Sequence, residues 1–315
     1  MQLMASTTYI LCPGQGAQAV GMGKDFYESS PAAKEVFETA NRVLGFDLAS
    51  LCFGGPDERL NQTDISQPAI YVTSIAAYRA AVAAGVLSES AAGYQFAGLS
   101  LGEYTALHLA GVFGFEDGLK LVAARGKYMQ EAAVATPSSM VAIMGGDEAA
   151  VAKLCEENAA GDVLVPANFN APGQIVVSGS KAACERITAA AGAAGLKAVP
   201  LVVAGAFHSP IMQSGANKMR GELEKVTFNP PRATVYSNVT AQPHTDTASI
   251  KKLLVDQIVK PVRWEQTMQA IAPVADARFV ELAPGRVLTG LLKKINRRLP
   301  VETLSTADAL NAKPA

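Results

Sequence analysis

The chain is 315 residues long, 49% hydrophobic and only 17% charged, with 27 basic residues set against 28 acidic ones and a net charge of −1. This composition excludes disorder over most of the length, and the length suffices for one large domain or for a large domain carrying a smaller one. The balanced charge supplies no global field for gripping phosphates, which excludes general nucleic-acid binding.

Short apolar runs alternate with alanine-rich segments of helical period, the rhythm of an α/β protein. The first predicted strand is Tyr9-Ile-Leu-Cys12, followed by the glycine-rich loop Pro13-Gly14-Gln15-Gly16-Ala17-Gln18. Helices are predicted over Pro31 to Leu44 and Gln67 to Ala84, a strand over Gln95 to Leu99, and further helices over Gly102 to Ala110 and Glu116 to Glu131. From about Ser139 to Val203 the beat changes. Met140 to Met144 reads as a strand, Asp147 to Asn158 as a helix, Asp162 to Ala167 and Gln174 to Ser178 as strands, Lys181 to Ala194 as a helix and Lys197 to Val203 as a strand. The order β-α-β-β-α-β is that of a ferredoxin-like module. The expectation is therefore a large α/β subdomain of residues 1–135 and 205–315 with a ferredoxin-like small subdomain, 136–204, inserted into it; the alternative is one continuous α/β domain. Strands at Val235 to Asn238 and Arg278 to Leu282, a helix at Val287 to Arg298, and a frayed tail after Ser305 complete the prediction.

Four cysteines, Cys12, Cys52, Cys155 and Cys184, lie far apart without a C-x-x-C pair, which argues against a zinc knuckle or a disulfide framework and for a reducing compartment. The first charged residue is Lys24, so neither a secretory signal nor an Arg-rich transit peptide is read at the N-terminus. Apolar stretches such as Ala198 to Phe207 fall short of the roughly 20 residues that cross a bilayer. The expected setting is the cytoplasm, or an organelle after removal of a transit peptide, with no membrane partner.

The strongest local signal is Gly98-Leu99-Ser100-Leu101-Gly102, a G-x-S-x-G between a predicted strand and a predicted helix. This is the setting of a nucleophile elbow, in which flanking glycines relieve the crowding of a sharp turn and the Leu101 N–H points toward a developing oxyanion. The plain alternative is a serine N-cap of the following helix. A serine nucleophile needs a base, and the chain offers three histidines. His108 lies in the same helix as Ser100, and His244 sits in a polar loop. His208, in Gly205-Ala206-Phe207-His208-Ser209-Pro210, falls where an α/β scaffold presents catalytic groups, although a structural histidine there is equally admissible. No carboxylate between Ser100 and His208 carries a motif, so a Ser–His pair oriented by a backbone carbonyl is considered. Arg125 shares a helical stripe with Leu121, Ala124 and Tyr128, which leaves it snorkelling, paired internally, or meeting an anionic ligand. Gly14-x-Gly16-x-x-Ala19 fits a dinucleotide fingerprint only weakly, and the expected acidic residue is missing.

Taken together, these residues resemble the malonyl-CoA:acyl carrier protein transacylase family, the acyltransferases of fatty acid and polyketide synthesis. The resemblance rests on Gly14-Gln15-Gly16-Ala17-Gln18, Gly98-Leu99-Ser100-Leu101-Gly102-Glu103, Arg125-Gly126-Lys127-Tyr128-Met129-Gln130, Asn168-Phe169-Asn170-Ala171-Pro172-Gly173-Gln174, Gly205-Ala206-Phe207-His208, and Gln257 with Pro261-Val262-Arg263-Trp264, in that order. It spans nearly the whole chain and implies a hydrolase-like large subdomain with a parallel sheet core plus the inserted ferredoxin-like one. It makes Ser100 the nucleophile, His208 its base and Arg125 the partner of the malonyl carboxylate. It assigns the oxyanion hole to the N–H groups of Gln15 and Leu101, and the orientation of the histidine to the Gln257 carbonyl. Asn170 falls near the site, and Met129 and Phe207 among the substrate contacts.

The implied reaction is a ping-pong transfer from malonyl-CoA to acyl carrier protein, without cofactor or metal. Position 99 is Leu where many members have His, which removes any polar role there, and the bulk of Phe207 disfavours an α-methyl branch. Lys293, Lys294, Arg297 and Arg298, with Arg286 before them, are read on one C-terminal helix as a docking face for an acidic carrier or simply as a solvated helix end. The alternatives are a discrete polyketide-synthase acyltransferase, an acyl hydrolase of the same fold, against which Arg125 argues, and a carrier-binding module without chemistry.

Overall fold

Parallel strands covered on both faces must be apolar on both, and Tyr9-Ile-Leu-Cys12 meets that demand. In the computed structural model, which describes residues 7–274 and 276–311, it becomes a central strand buried end to end. The chain runs β1 (Thr8–Cys12), α1 (Lys24–Ser29), α2 (Pro31–Leu44), α3 (Leu48–Gly54), α4 (Asp57–Leu60), α5 (Thr63–Ala83), β2 (Tyr94–Gly98), α6 (Gly102–Leu109) and α7 (Phe115–Ala135). Next come β3 (Ser138–Met144), α8 (Glu148–Ala159), β4 (Leu164–Ala171), β5 (Gln174–Ser180), α9 (Lys181–Ala191) and β6 (Lys197–Pro200). The last part holds a 3-10 turn at Pro210–Met212, then α10 (Gln213–Lys225), β7 (Thr234–Val235), α11 (Thr247–Val259), α12 (Trp264–Ile271), β8 (Arg278–Leu282), α13 (Val287–Ile295), β9 (Val301–Leu304) and a 3-10 turn at Ala307–Asn311.

One sheet is parallel throughout, in the order β7-β2-β1-β8-β9. Strand alternation divides it between two apolar layers. Ile10, Cys12, Phe96 and Val280 pack into the layer that contains α5, while Tyr9, Leu11, Ala97 and Phe279 pack against α12 and α13 through Trp264, Met268, Leu288 and Leu292. Cys12 lies opposite Gly98 in the register, so the loops leaving β1 and β2 emerge side by side at the C-terminal edge, where open α/β sheets place their sites. The second sheet is antiparallel, in the order β4-β5-β3-β6, and its α8 and α9 side forms a core of its own around Val141, Ile143, Val177 and Ile187. Its other side turns Met140, Ala142 and Val176 toward the large core. The antiparallel sheet is tied to the connection between α11 and α12 where the Phe169 N–H donates to the Val262 carbonyl at 2.9 Å and the Val262 N–H to the Ala167 carbonyl at 2.8 Å.

Several boundaries depart from the sequence prediction. Helix α5 starts at Thr63, four residues before the predicted Gln67, with Pro68 inside it; near a helix start the missing N–H deprives only the Asp64 carbonyl. The strand forms one residue earlier than the predicted Val235–Asn238, as Thr234–Val235, and after the Tyr236 N–H reaches the Phe96 carbonyl the chain leaves β2, because the Ser237 N–H turns to the Gln242 carbonyl and the Asn238 N–H to Glu103 Oε2. The predicted strand at 197–203 stops at Pro200 and the helix at 181–194 stops at Ala191. The C-terminal helix ends at Ile295, where extended Asn296 accepts the Arg298 N–H on its side chain, so Arg297 and Arg298 lie in a turn and not on the helix with Lys293 and Lys294. Nor is the tail frayed as far as Asn311: the Ala307 N–H donates to Asp25 Oδ2 at 2.6 Å, and Leu310 packs on the core. Pro314 lies outside the described residues. Among the described residues no helix is long and apolar enough to cross a membrane.

Helices α5 and α7 approach closely because α7 faces its neighbour with Gly118 and Gly126, and Arg125 is carried on the same helix. A methyl group on Gly126 would lie 2.5 Å from the Thr63 carbonyl oxygen. G126A is therefore expected to lower the unfolding free energy by about 1–3 kcal/mol. The check is a urea denaturation midpoint; a midpoint equal to the parent's would mean the helices part without cost.

Candidate active site

At the end of β2 the chain turns sharply into α6, and Ser100 sits at the apex with φ 52°, a left-handed conformation that costs a non-glycine residue free energy. The turn is possible only because its neighbours lack side chains. A Cβ on Gly98 would overlap the Gly102 carbonyl, and one on Gly102 would overlap the Cys12 carbonyl. Asn238, just past β7, clamps the strained turn from both sides: its Oδ1 accepts the Ser100 N–H at 2.5 Å and its Nδ2 donates to the Gly98 carbonyl at 2.7 Å.

His208 also adopts a left-handed backbone, with φ 59°, and is 4% exposed. Its Nδ1 lies 2.6 Å from the Gln257 carbonyl, which only accepts, so the proton is assigned to Nδ1 and the Nε2 lone pair faces Ser100 Oγ at 2.9 Å. Burial and then the nearby Arg125 charge push the histidine down to about 4, against the opposing effect of the Gln257 carbonyl. At neutral pH it is an unprotonated base in contact with a hydroxyl.

Arg125 is 1% exposed and, among the described residues, has no carboxylate within ion-pair distance. Its Nη1 donates to Gln67 Oε1 at 2.8 Å, and its Nη2 to Gln257 Oε1 at 2.8 Å and to Ser100 Oγ at 3.0 Å. Nε has no partner, and the guanidinium lies 5.6 Å from the Tyr104 ring centroid. Burial lowers its affinity for its proton, an effect that the Tyr104 and Glu103 charges oppose. A full positive charge held by neutral oxygens keeps most of its attraction for an anion.

These groups open on a cavity of about 660 Å³. Gln15, Met129, Asn170 and Phe207 line it with Ser100, Arg125 and His208, and Asn170 Oδ1 is buried there without a partner. Leu101 is buried beside Ser100 and does not reach the cavity lining. Neither the Gln15 nor the Leu101 backbone N–H has an acceptor among the described residues. Gln257 is fully buried behind the site, its carbonyl on His208 and its amide on Arg125. Lys293, Lys294, Arg297 and Arg298 are exposed and outside the lining, and Lys294 reaches Gln174 of the antiparallel sheet. A hydroxyl touching a neutral imidazole, two backbone donors and an uncompensated cation can together attack an acyl carbon, hold an oxyanion and bind an anionic tail.

Sequence reasoning passed over four residues of this centre: Gln67, Glu103, Asn238 and His244. Gln67 is a fully buried amide in a helix whose inner face is otherwise largely apolar, a contrast visible in the sequence. His244, read in a polar loop, is instead buried with Nε2 2.7 Å from Glu103 Oε1. The contact lies 141 residues away along the chain, beyond any local pattern. His108 is packed by its Nδ1 against the Phe113 carbonyl, away from the cavity.

Comparison with known proteins places this geometry among relatives. The model of the acyl transferase domain family matches residues 8–310. The chain is 45% identical over 300 residues, 95% of its own length and 94% of the relative's, to the malonyl CoA-acyl carrier protein transacylase of Escherichia coli. It superposes on the structure of the malonyl CoA-acyl carrier protein transacylase from Coxiella burnetii with a TM-score of 0.93, at 36% identity and covering 99% of this chain and 98% of that one. It also superposes, with a TM-score of 0.91 at 38% identity over 97% and 98% of the two chains, on a structure of a type II PKS acyl-carrier protein in complex with its malonyl-transacylase.

His208 and His108 both stand near 6.5 as free groups and at about 4 when buried in the fold. Between these values the unfolded chain binds more protons, so the stability contributed by keeping them neutral is complete above about pH 6.5 and is lost as pH falls toward 4. In an NMR titration with labelled histidine, both resonances are expected to stay neutral at pH 6. Arg125→Ala is expected to raise the His208 value, since a repelling charge is gone. A His208 that titrates at its free value would show that burial and Arg125 do not depress it.

Proposed function

The chain belongs to the acyl transferase domain family, alongside its malonyl CoA-acyl carrier protein transacylases, and from that premise we propose that it moves a malonyl group from malonyl-CoA to the phosphopantetheine thiol of an acyl carrier protein through an ester on Ser100. The observation that carries this reading is Arg125: a buried cation without a counter-ion among the described residues, 3.0 Å from the nucleophilic oxygen. An acyl group ending in a carboxylate supplies the missing charge, whereas acetyl leaves the cation unpaired.

In the first half-reaction Ser100 Oγ attacks the thioester carbon as its proton passes to His208 Nε2. The resulting oxyanion is received by the N–H groups of Gln15 and Leu101. Collapse breaks the carbon–sulfur bond, the histidine protonates the departing CoA sulfur, and malonyl-Ser100 remains. The carrier's thiol then attacks the ester, giving its proton to His208, and the second tetrahedral intermediate expels Ser100 Oγ, which takes that proton back. His208 is kept in register throughout by the Gln257 carbonyl. Met129, Phe207 and Asn170 enclose the acyl group, and the bulk of Phe207 disfavours an α-methyl branch. In this reading residues 136–204 form a small subdomain that closes the cavity over a large subdomain of 1–135 and 205–315. The acidic carrier approaches the exposed Lys293, Lys294, Arg297 and Arg298, and the reaction runs in the cytoplasm.

Intact-protein mass spectrometry after brief mixing with malonyl-CoA tests the reading. The parent is expected to gain a malonyl adduct that passes to a phosphopantetheinylated carrier, and Ser100→Ala to gain none. Release of the adduct to water without transfer would make the chain a hydrolase. Arg125→Ala is expected to lower the preference for malonyl over acetyl by roughly 10- to 100-fold, the value of a charge-assisted hydrogen bond; an unchanged preference would remove Arg125 from substrate selection.

A further inference from the structure

Behind the site lies a group with no part in the mechanism above. Glu103, on α6, has a fully buried side chain. Its Oε1 meets His244 Nε2 at 2.7 Å, and its Oε2 accepts the Asn238 N–H at 3.0 Å and Gln257 Nε2 at 2.6 Å. The Gln257 amide is thus wedged between an anion and a cation, with Nε2 on Glu103 and Oε1 on Arg125 Nη2. An amide has nearly the same shape in either orientation, so its direction is set by its neighbours. A carboxylate only accepts and a guanidinium only donates; turned over, the amide would oppose donor to donor at Arg125 and acceptor to acceptor at Glu103.

We propose that Glu103 is a positioning residue that fixes the polarity of the Gln257 amide and through it presents Arg125 to the substrate carboxylate. This rests on the malonyl-transfer reading above and deepens it. A direct Glu–Arg ion pair would occupy the guanidinium donors and compete with the substrate. Interposing an amide leaves Glu103 close enough to favour the arginine's charge, while the groups that touch Arg125 remain neutral oxygens. The same amide donates to the Ser100 carbonyl at 3.0 Å, which ties the orientation of the cation to the elbow. His244 holds the far oxygen of Glu103, so the carboxylate cannot swing toward the arginine.

The readout is the ratio of kcat/KM for malonyl-CoA to that for acetyl-CoA, followed as acylation of Ser100 by mass spectrometry. E103Q, which can itself turn either way, is expected to lower the ratio at least tenfold, while E103D, which keeps an acceptor-only group, holds it within about threefold of the parent. If E103Q lowers both rates equally, or E103Q and E103D lose the ratio alike, Glu103 acts only in packing and the proposal falls. Should E103Q fail to fold, Q257M decides: it keeps the backbone carbonyl on His208 but has no amide polarity, and a ratio equal to the parent's would overturn the proposal, whereas a tenfold loss supports it. A parent that forms no malonyl adduct would fail the transfer reading, and the role assigned to Glu103 would fall with it; a parent that is acylated confines any failure to Glu103.

Discussion

Burying a guanidinium costs several kcal/mol unless its donors and its charge are answered. Around Arg125 the answer comes from two amide oxygens, a hydroxyl and the Tyr104 ring, with the nearest negative charge held one residue away. Each of these partners is itself fixed from a different part of the fold. Gln67 projects from near the start of α5, Gln257 from α11, and Ser100 from the turn between β2 and α6. The charge can remain buried and unneutralised only while these elements keep their places, so the close contact of α5 with α7 and the packing of α11 against α10 are requirements of the site.

The sheet order supplies the other half of the arrangement. With β1 between β2 and β8, and β7 beyond β2, the loops carrying Gln15, Ser100 and Asn238 leave one edge together. Ser100 and His208 hold left-handed backbones, and each is fixed by bonds beyond its own turn: Ser100 by the Asn238 amide, His208 by the Gln257 carbonyl and by the Phe207 carbonyl, which accepts Ser178 Oγ of the antiparallel sheet at 2.6 Å. Strain of about 1–3 kcal/mol per residue persists only where surrounding contacts over-determine the conformation. Here those contacts come from both sheets.

What the sequence conveys follows the range of the interactions. Helix α2 is legible to the residue because everything that defines it is local: Ser30 accepts the Ala33 N–H, Pro31 takes the first position, and Gly45 closes it at φ 74°. The strand Arg278–Leu282 and the β-α-β-β-α-β order of the smaller sheet are legible for the same reason. The glycines around Ser100 announce an elbow, since only a sharp turn explains their spacing. Periodicity carries the C-terminal helix through Arg297 and Arg298 because it does not register the Asn296 break, and the docked tail depends on Asp25 at the opposite end of the chain. His244 and Glu103 could not be paired at all from sequence. A histidine among Thr, Pro and Asp has the composition of a surface loop, and only the fold reveals the carboxylate beneath it.

The cavity's two walls make selectivity and reactivity expressions of one property. On one side stand the loops of the parallel sheet; on the other, Met140 and Val176 of the antiparallel sheet, with Leu201 beyond it, set apolar side chains beside Asn168 and Asn170. Burial beside these walls lowers the His208 value and keeps the imidazole neutral at neutral pH. It also strengthens every interaction of Arg125, because an ion–carboxylate attraction grows as the local dielectric falls. Opening the wall to water would shift the histidine toward its free value and at the same time weaken the hold on a carboxylate. In the proposed transfer, burial at one site thus couples the base that would activate Ser100 to the cation that would choose what Ser100 attacks, and neither can be tuned by burial without moving the other.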